Sequence, residues 1–205
     1  QVLQPALLNR DFKNWNSILN TVKTCIVYNA AAKAAVEIAL FQLKAKENGE
    51  SLVNLLGSNK GTLKTDYTIS IGSDNHMISE AQKLVNDGFT SIKIKLGNNS
   101  VNHDIKTIKK ISDAIGPNIA LRIDCNQAWT YKDTLKAGRI WARDNLNIDF
   151  IEQPVLKDAI SDLIRLTELS PYPIMADESV ASYKNAINLI NNHACDYINI
   201  KLIDK

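Results

Sequence analysis

Five charged residues of this chain recur at nearly equal intervals: Lys95, Asp124, Glu152, Asp177 and Lys201 stand 29, 28, 25 and 24 residues apart. Each ends a short strand-like run, as in Ile92-Lys93-Ile94-Lys95, Leu121-Arg122-Ile123-Asp124, Phe150-Ile151-Glu152, Ile174-Met175-Ala176-Asp177 and Tyr197-Ile198-Asn199-Ile200-Lys201. A step of that length holds one strand, one helix and two loops, so the five charges are expected at equivalent depths on five successive strands. Alternation at period two sends Lys93 and Lys95 to one face of their strand and Ile92, Ile94 and Leu96 to the other. Taken alone, that pattern also describes the wet face of an edge strand. In a parallel (β/α) barrel the C-terminal strand ends line the active site, and the spacing then gathers two ammonium and three carboxylate groups in one cup.

Three carboxylates in a water-poor cup repel one another unless a cation joins them. Asp124, Glu152 and Asp177 are therefore expected to converge on a divalent metal, and hard oxygen donors with open positions suit Mg²⁺, one per subunit. Zinc ligation is not indicated. His76, His103 and His193 fall in helix or loop contexts and read as surface residues, while Cys125, on the face opposite Asp124, reads as packing. Lys95 and Lys201 belong to the second and sixth strands, which are diametrically opposed in an eight-stranded barrel. A substrate carbon held over the axis would have one amine on each side. Near Lys93 and a bound cation the pKa of such a lysine should fall, making a neutral amine available as a base. Abstraction of a proton next to a carboxylate creates an enediolate whose charge the metal neutralises, and bases on opposite faces permit inversion.

The set Lys93-Ile94-Lys95, Asp124-Cys125-Asn126, Glu152-Gln153-Pro154, Asp177-Glu178-Ser179 and Lys201 resembles the muconate lactonizing subgroup of the enolase superfamily. Ala32-Lys33-Ala34-Ala35-Val36-Glu37 and Thr65-Asp66-Tyr67-Thr68 are similar to text of its dipeptide epimerases. The resemblance implies an isomerase: a Mg²⁺-dependent epimerase or racemase that inverts the carbon alpha to a carboxylate, acting on a small carboxylate substrate of dipeptide type. It implies Asp124, Glu152 and Asp177 as metal ligands, Lys95 and Lys201 as the acid/base pair, and Lys93 and Thr68 as substrate contacts. Asn126 and Glu178 would support them from behind. o-Succinylbenzoate synthase and muconate cycloisomerase share the metal site and both lysines but eliminate or cyclise, and the five charges do not choose between these reactions. The text around Thr65 to Thr68 and Lys201 favours the epimerase. A lysine Schiff-base enzyme would not need three carboxylates. A catalytically inactive structural fragment is the reading from another class.

The elements that must position these groups follow from pattern. The chain has 205 residues, 45% hydrophobic and 22% charged, with a formal net charge of +2, an ordinary soluble composition without the basic patch that nucleic acid requires. No apolar run approaches a membrane span, and three scattered cysteines fit a reducing cytoplasm better than a disulfide framework. A homo-oligomer is expected. Residues 1–61 read as the helical part of an N-terminal α+β capping domain. One helix is capped by Asp11, with Phe12, Trp15, Leu19 and Val22 inward. A second is capped by Asn29, with a stripe of Ala32, Ala35, Val36, Ala39, Leu40 and Leu43. A short helix over Ser51 to Leu56 precedes a linker, Gly57-Ser58-Asn59-Lys60-Gly61. Residues 62–205 read as an incomplete (β/α)7β TIM-like barrel with strands 1 to 6 present. A complete barrel needs about 250 residues, so the chain reads as an internal portion of a longer protein.

Overall fold

Strand-helix alternation from Tyr67 onward produces a sheet of six parallel strands whose spatial order is the chain order. The computed structural model describes residues 2–58 and 61–201, so Asn59 and Lys60 of the expected linker lie outside the described residues. The chain forms two compact units, one drawn from Gln1–Leu63 with Lys201–Lys205 and the other from Lys64–Ile200.

The first unit holds α1 (Leu3–Leu7), α2 (Trp15–Thr24), α3 (Ala30–Glu47) and α4 (Leu52–Leu55). Asp11 does not cap α2. Its carboxylate accepts the Lys13 N–H in a turn, and the helix begins at Trp15. Trp15 is held edge-on between Phe12 and Phe41, at 5.6 and 5.0 Å, with the Lys44 ammonium 4.2 Å from its ring centre. The stripe expected on α3 is also displaced. Ala32, Ala35, Ala39 and Leu43 are exposed, whereas Ala45 is buried and Phe41 meets Trp15. The aromatic contact with α2 overrides the alanine periodicity in deciding which side of α3 is covered.

The second unit is an arc of (β/α) barrel: β1 (Tyr67–Ile69), α5 (Asp74–Asn86), β2 (Ser91–Lys95), α6 (Val101–Ile115), β3 (Ala120–Asp124), α7 (Tyr131–Arg143), β4 (Ile148–Glu152), α8 (Ile160–Leu169), β5 (Ile174–Ala176), α9 (Tyr183–Asn191) and β6 (Tyr197–Ile198). Ser73, Ser100, Thr130 and Ser182 cap α5, α6, α7 and α9 by accepting a backbone N–H, and Asp133 completes a capping box at α7. Ile69, Ile92, Ile94, Leu121, Ile123, Ile151 and Ile174 form the fully buried outer face of the sheet, covered by Ile108, Ile111, Trp141, Leu163 and Leu166 of the helices. The opposite face is left for Lys93, Lys95, Arg122, Asp124 and Glu152, as period two requires. Among the described residues no helix is long and apolar enough to cross a membrane.

Register sets the depth of the charges. Lys95 pairs with Asp124 and Asp124 with Glu152, but Glu152 pairs with Met175, so Asp177 stands two residues beyond that rung on the same face. In this register Asp177 is the first inner-face residue beyond the end of β5. β6 is shorter than the expected run, ending at Ile198.

Candidate active site

Lys93 is the hub of the inner face. Its ammonium lies 3.0 Å from Asp124 Oδ2 and 2.7 Å from Glu152 Oε2, and both carboxylate side chains are only 2% exposed. Burial alone would depress the Lys93 pKa, but the hydrogen bonds and charges of Glu152 and Asp124 outweigh it and hold the ammonium above its ordinary value. Glu152 is nevertheless held above the usual carboxylate range, first by burial and further by the Asp124 charge, which Lys93 offsets only in part. One ammonium between two buried carboxylates leaves a surplus of negative charge. Asn199, one residue beyond β6, donates to the other Glu152 oxygen at 3.0 Å. Thr68 of β1 sits directly opposite Lys93 in register and is half-buried.

Lys95, one rung above Lys93, donates to Asn126 Oδ1 at 3.0 Å. Asn126 turns its amide the other way to Glu178 Oε1 at 3.2 Å, and its backbone N–H bonds Asp124 Oδ1 at 3.1 Å. The backbone bends sharply here: Asn126 and Gln127 after β3, and Gln153 after β4, have φ of 41°, 70° and 35°. Non-glycine residues hold such angles only when surrounding bonds over-determine them, a condition that clusters at functional sites. Gln153 shows how. Fully buried, its side-chain oxygen accepts the Asp177 and Ser179 N–H groups at 2.9 and 3.0 Å, and its amide donates to Val155 O and Ser179 Oγ. The turn that carries Asp177 and Glu178 is thereby bolted to the end of the neighbouring strand.

A divalent cation fits the chemistry of these donors. The carboxylates are buried and in charge excess, and among the described residues Glu178 Oε2 is a buried oxygen without a hydrogen-bond partner. As the side chains stand, no three His, Cys, Asp or Glu residues among those described are grouped to hold a metal ion. Lys93 occupies the space between two of the carboxylates. Of the two expected bases, only Lys95 belongs to this unit. Lys201 lies beyond β6, in the unit that contains residues 1–63. Cys125 is buried on the outer face, where burial pushes its thiol well up, as packing predicts. His76 lies near Glu80, and His103 lies beside Asp74 and Thr107.

Three participants were not singled out in the sequence. Arg122 shares the inner face with Asp124, donates to Asp66 at 2.9 Å and to Asp149 at 3.0 Å, and stacks over Phe150. A one-residue slip between β3 and β4 leaves Asp149 without a cross-strand partner and lets it reach Arg122. The signal for Arg122 was period two, and the same period places Asn199 on the face of Tyr197. Gln153 offered only its polarity at the end of an apolar run.

Charged side chains gathered at the C-terminal strand ends of a parallel β/α arc put the chain in the class of (β/α)-barrel folds. Residues 76–204 match the family described as enolase C-terminal domain-like, and residues 1–57 match the mandelate racemase / muconate lactonizing enzyme N-terminal domain. The chain belongs to the enolase superfamily, in its muconate lactonizing enzyme subgroup. It is similar to the L-Ala-D/L-Glu epimerase of Bacillus subtilis (strain 168), with 38% identity over 98% of this chain and 55% of that protein. A substrate-liganded structure of the Bacillus subtilis L-Ala-D/L-Glu epimerase superposes with a TM-score of 0.94 at 38% identity, covering 98% of this chain and 56% of the other. The dipeptide epimerase of Cytophaga hutchinsonii, complexed with Mg and D-Ala-L-Val, gives 0.90 at 33% identity, covering 98% and 54%. The chain spans about half the length of the curated relatives it matches.

Proposed function

We propose that the protein to which this chain belongs is a Mg²⁺-dependent dipeptide epimerase of the L-Ala-D/L-Glu type, inverting the carbon alpha to a carboxylate. The observation that carries the reading is Lys95 poised one rung above a buried ammonium–dicarboxylate cluster, in a chain 38% identical to such an epimerase. Asp124, Glu152 and Asp177 are the proposed ligands of one Mg²⁺ per subunit, which when bound supplies a Lewis acid for the substrate carboxylate. Lys93 and Thr68, paired across β1 and β2, contact the substrate. Lys95 removes or returns the α-proton on one face, with Asn126 fixing the direction of its ammonium. Glu178 steadies Asn126, and Lys201 serves the opposite face.

The test is incubation of the full-length protein with Mg²⁺ and L-Ala-L-Glu or L-Ala-D-Glu in deuterated water, followed by NMR. Deuterium entering the glutamyl α-position with appearance of the other epimer is expected. Failure to exchange either epimer, or any other member of a dipeptide panel, overturns the reading.

A further inference from the structure

Asp104, in the first turn of α6, is a buried carboxylate, 2% exposed. One of its oxygens, Oδ2, accepts both the Gly97 N–H and the Trp129 indole N–H, each at 3.2 Å. Gly97 follows Lys95 by two residues, and Trp129 follows Asn126 by three. The two loops so joined are the ones whose starting side chains meet in the 3.0 Å bond from Lys95 to Asn126. They also touch directly. A Cβ on Gly97, whose φ is +108°, would lie 2.3 Å from the Ala128 Cβ and 3.2 Å from the Cys125 carbonyl. Lys95, Gly97, Asp104, Trp129 and Asn126 therefore form a closed ring of links.

We infer that Asp104 is a positioning residue for proton transfer at Lys95, pinning the loop after β2 to the loop after β3 so that Asn126 holds the amine at a fixed place. The inference rests on the epimerase reading above. Both donors reach one carboxylate oxygen, so loosening it frees the two loops together. Lys201 lies outside the ring, and its proton transfer is spared.

The experiment compares the full-length wild type, Asp104→Ala, Asp104→Asn and Trp129→Phe, each loaded with Mg²⁺, by α-proton exchange into deuterated water starting from each epimer. Lys95→Ala identifies the epimer that Lys95 serves. For that epimer Asp104→Ala is expected to lose about 10- to 100-fold in exchange, the scale on which a displacement near 1 Å acts, with exchange of the other epimer retained. Asp104→Asn, whose carbonyl oxygen still accepts both donors, recovers most of the rate. Trp129→Phe removes one donor and falls between, and it carries the test if Asp104→Ala does not fold. Equal losses for both epimers, or full exchange for both with only a lowered melting temperature, overturn the positioning role. A wild type that exchanges neither epimer overturns the epimerase reading itself, and this inference with it.

Discussion

Replacing Lys93 by Met keeps the length of the side chain and removes the one ammonium that touches both Asp124 and Glu152, at 3.0 and 2.7 Å. Two carboxylates, each 2% exposed, are then left adjacent without a counter-charge. Breaking a buried pair in this way costs about 3–5 kcal/mol. The cost depends on pH with a definite sign. Burial, and then the Asp124 charge, already raise the Glu152 pKa, and losing Lys93 removes the main influence lowering it. A carboxyl whose folded pKa lies above its unfolded value holds its proton more tightly in the folded state. The penalty is therefore absent below the ordinary glutamate pKa, grows as pH rises towards the folded value, and is complete above it. Lys93 acts in the other direction. Its raised pKa keeps its own contribution intact in wild type until pH rises past the ordinary lysine value. Urea unfolding of the full-length variant should thus show the full loss at pH 8 and a loss of only about 1 kcal/mol near pH 4, the scale of one neutral hydrogen bond. Excess Mg²⁺ at pH 8 should restore stability, by about 2.7 kcal/mol at one hundred times its dissociation constant. Equal destabilisation at both pH values, with no response to Mg²⁺, would refute the idea that Lys93 neutralises a cation-seeking carboxylate pair.

Three further outcomes are accessible. Lys95→Ala and Lys201→Ala should each abolish epimerisation while keeping Mg²⁺ binding, each retaining exchange from a different epimer; loss of exchange from both epimers in both variants would argue against two bases. Gly97→Ala should lower stability by about 1–3 kcal/mol from overpacking against Ala128, with Ala128→Gly in the same chain recovering part of it, and additive losses in a double-mutant cycle would show that the contact is not the cause. Gln153→Leu strands the Asp177 and Ser179 N–H groups, at about 1–3 kcal/mol for each buried group left unpaired, and it should weaken Mg²⁺ affinity; calorimetry giving wild-type affinity would separate Gln153 from the metal site.

The β/α arc was legible because its signals are periodic. Alternation put Lys93, Lys95, Asp124 and Glu152 on one face, and the near-constant spacing counted the strands. The helix caps were not legible: Asp11 and Asn29 were expected as caps and make no side-chain cap bond, while Ser73, Ser100, Thr130 and Ser182 do. Register was not legible: the pairing of Glu152 with Met175, which leaves Asp177 two residues beyond that rung, is set by sheet stagger, which leaves no trace in residue types. Nor was the place of Lys93 between Asp124 and Glu152, because the same lysine on the same face could equally have pointed at solvent. Gln153 and Asp104 were hidden for another reason. Gln153 acts on backbone N–H groups 24 and 26 residues away and Asp104 on an indole 25 and a backbone N–H seven residues away, through loops whose conformation is itself set by those bonds. The α3 stripe failed where a single aromatic cluster outweighed alanines, whose small area gives periodicity little energetic force.

The links between strand exits reach the adjacent strand or the one beyond it. Lys95 on β2 leans on Asn126 after β3, Glu152 on β4 on Asn199 after β6, and the Asp177 turn after β5 on Gln153 after β4. A chimera that grafts one β/α segment from a relative would cut these ties unless the donor supplied matching partners. β2 to β6 would have to move as one cassette, together with the first turn of α6, because Lys93 on β2 also holds Glu152 on β4 and Asn126 after β3 also holds Glu178 after β5. A breakpoint anywhere between β2 and β6 parts at least one of these pairs, so the breakpoint that preserves the site on its N-terminal side falls before Ser91, and loop-shuffling libraries drawn at individual strand ends would lose most of their members to misplaced carboxylates.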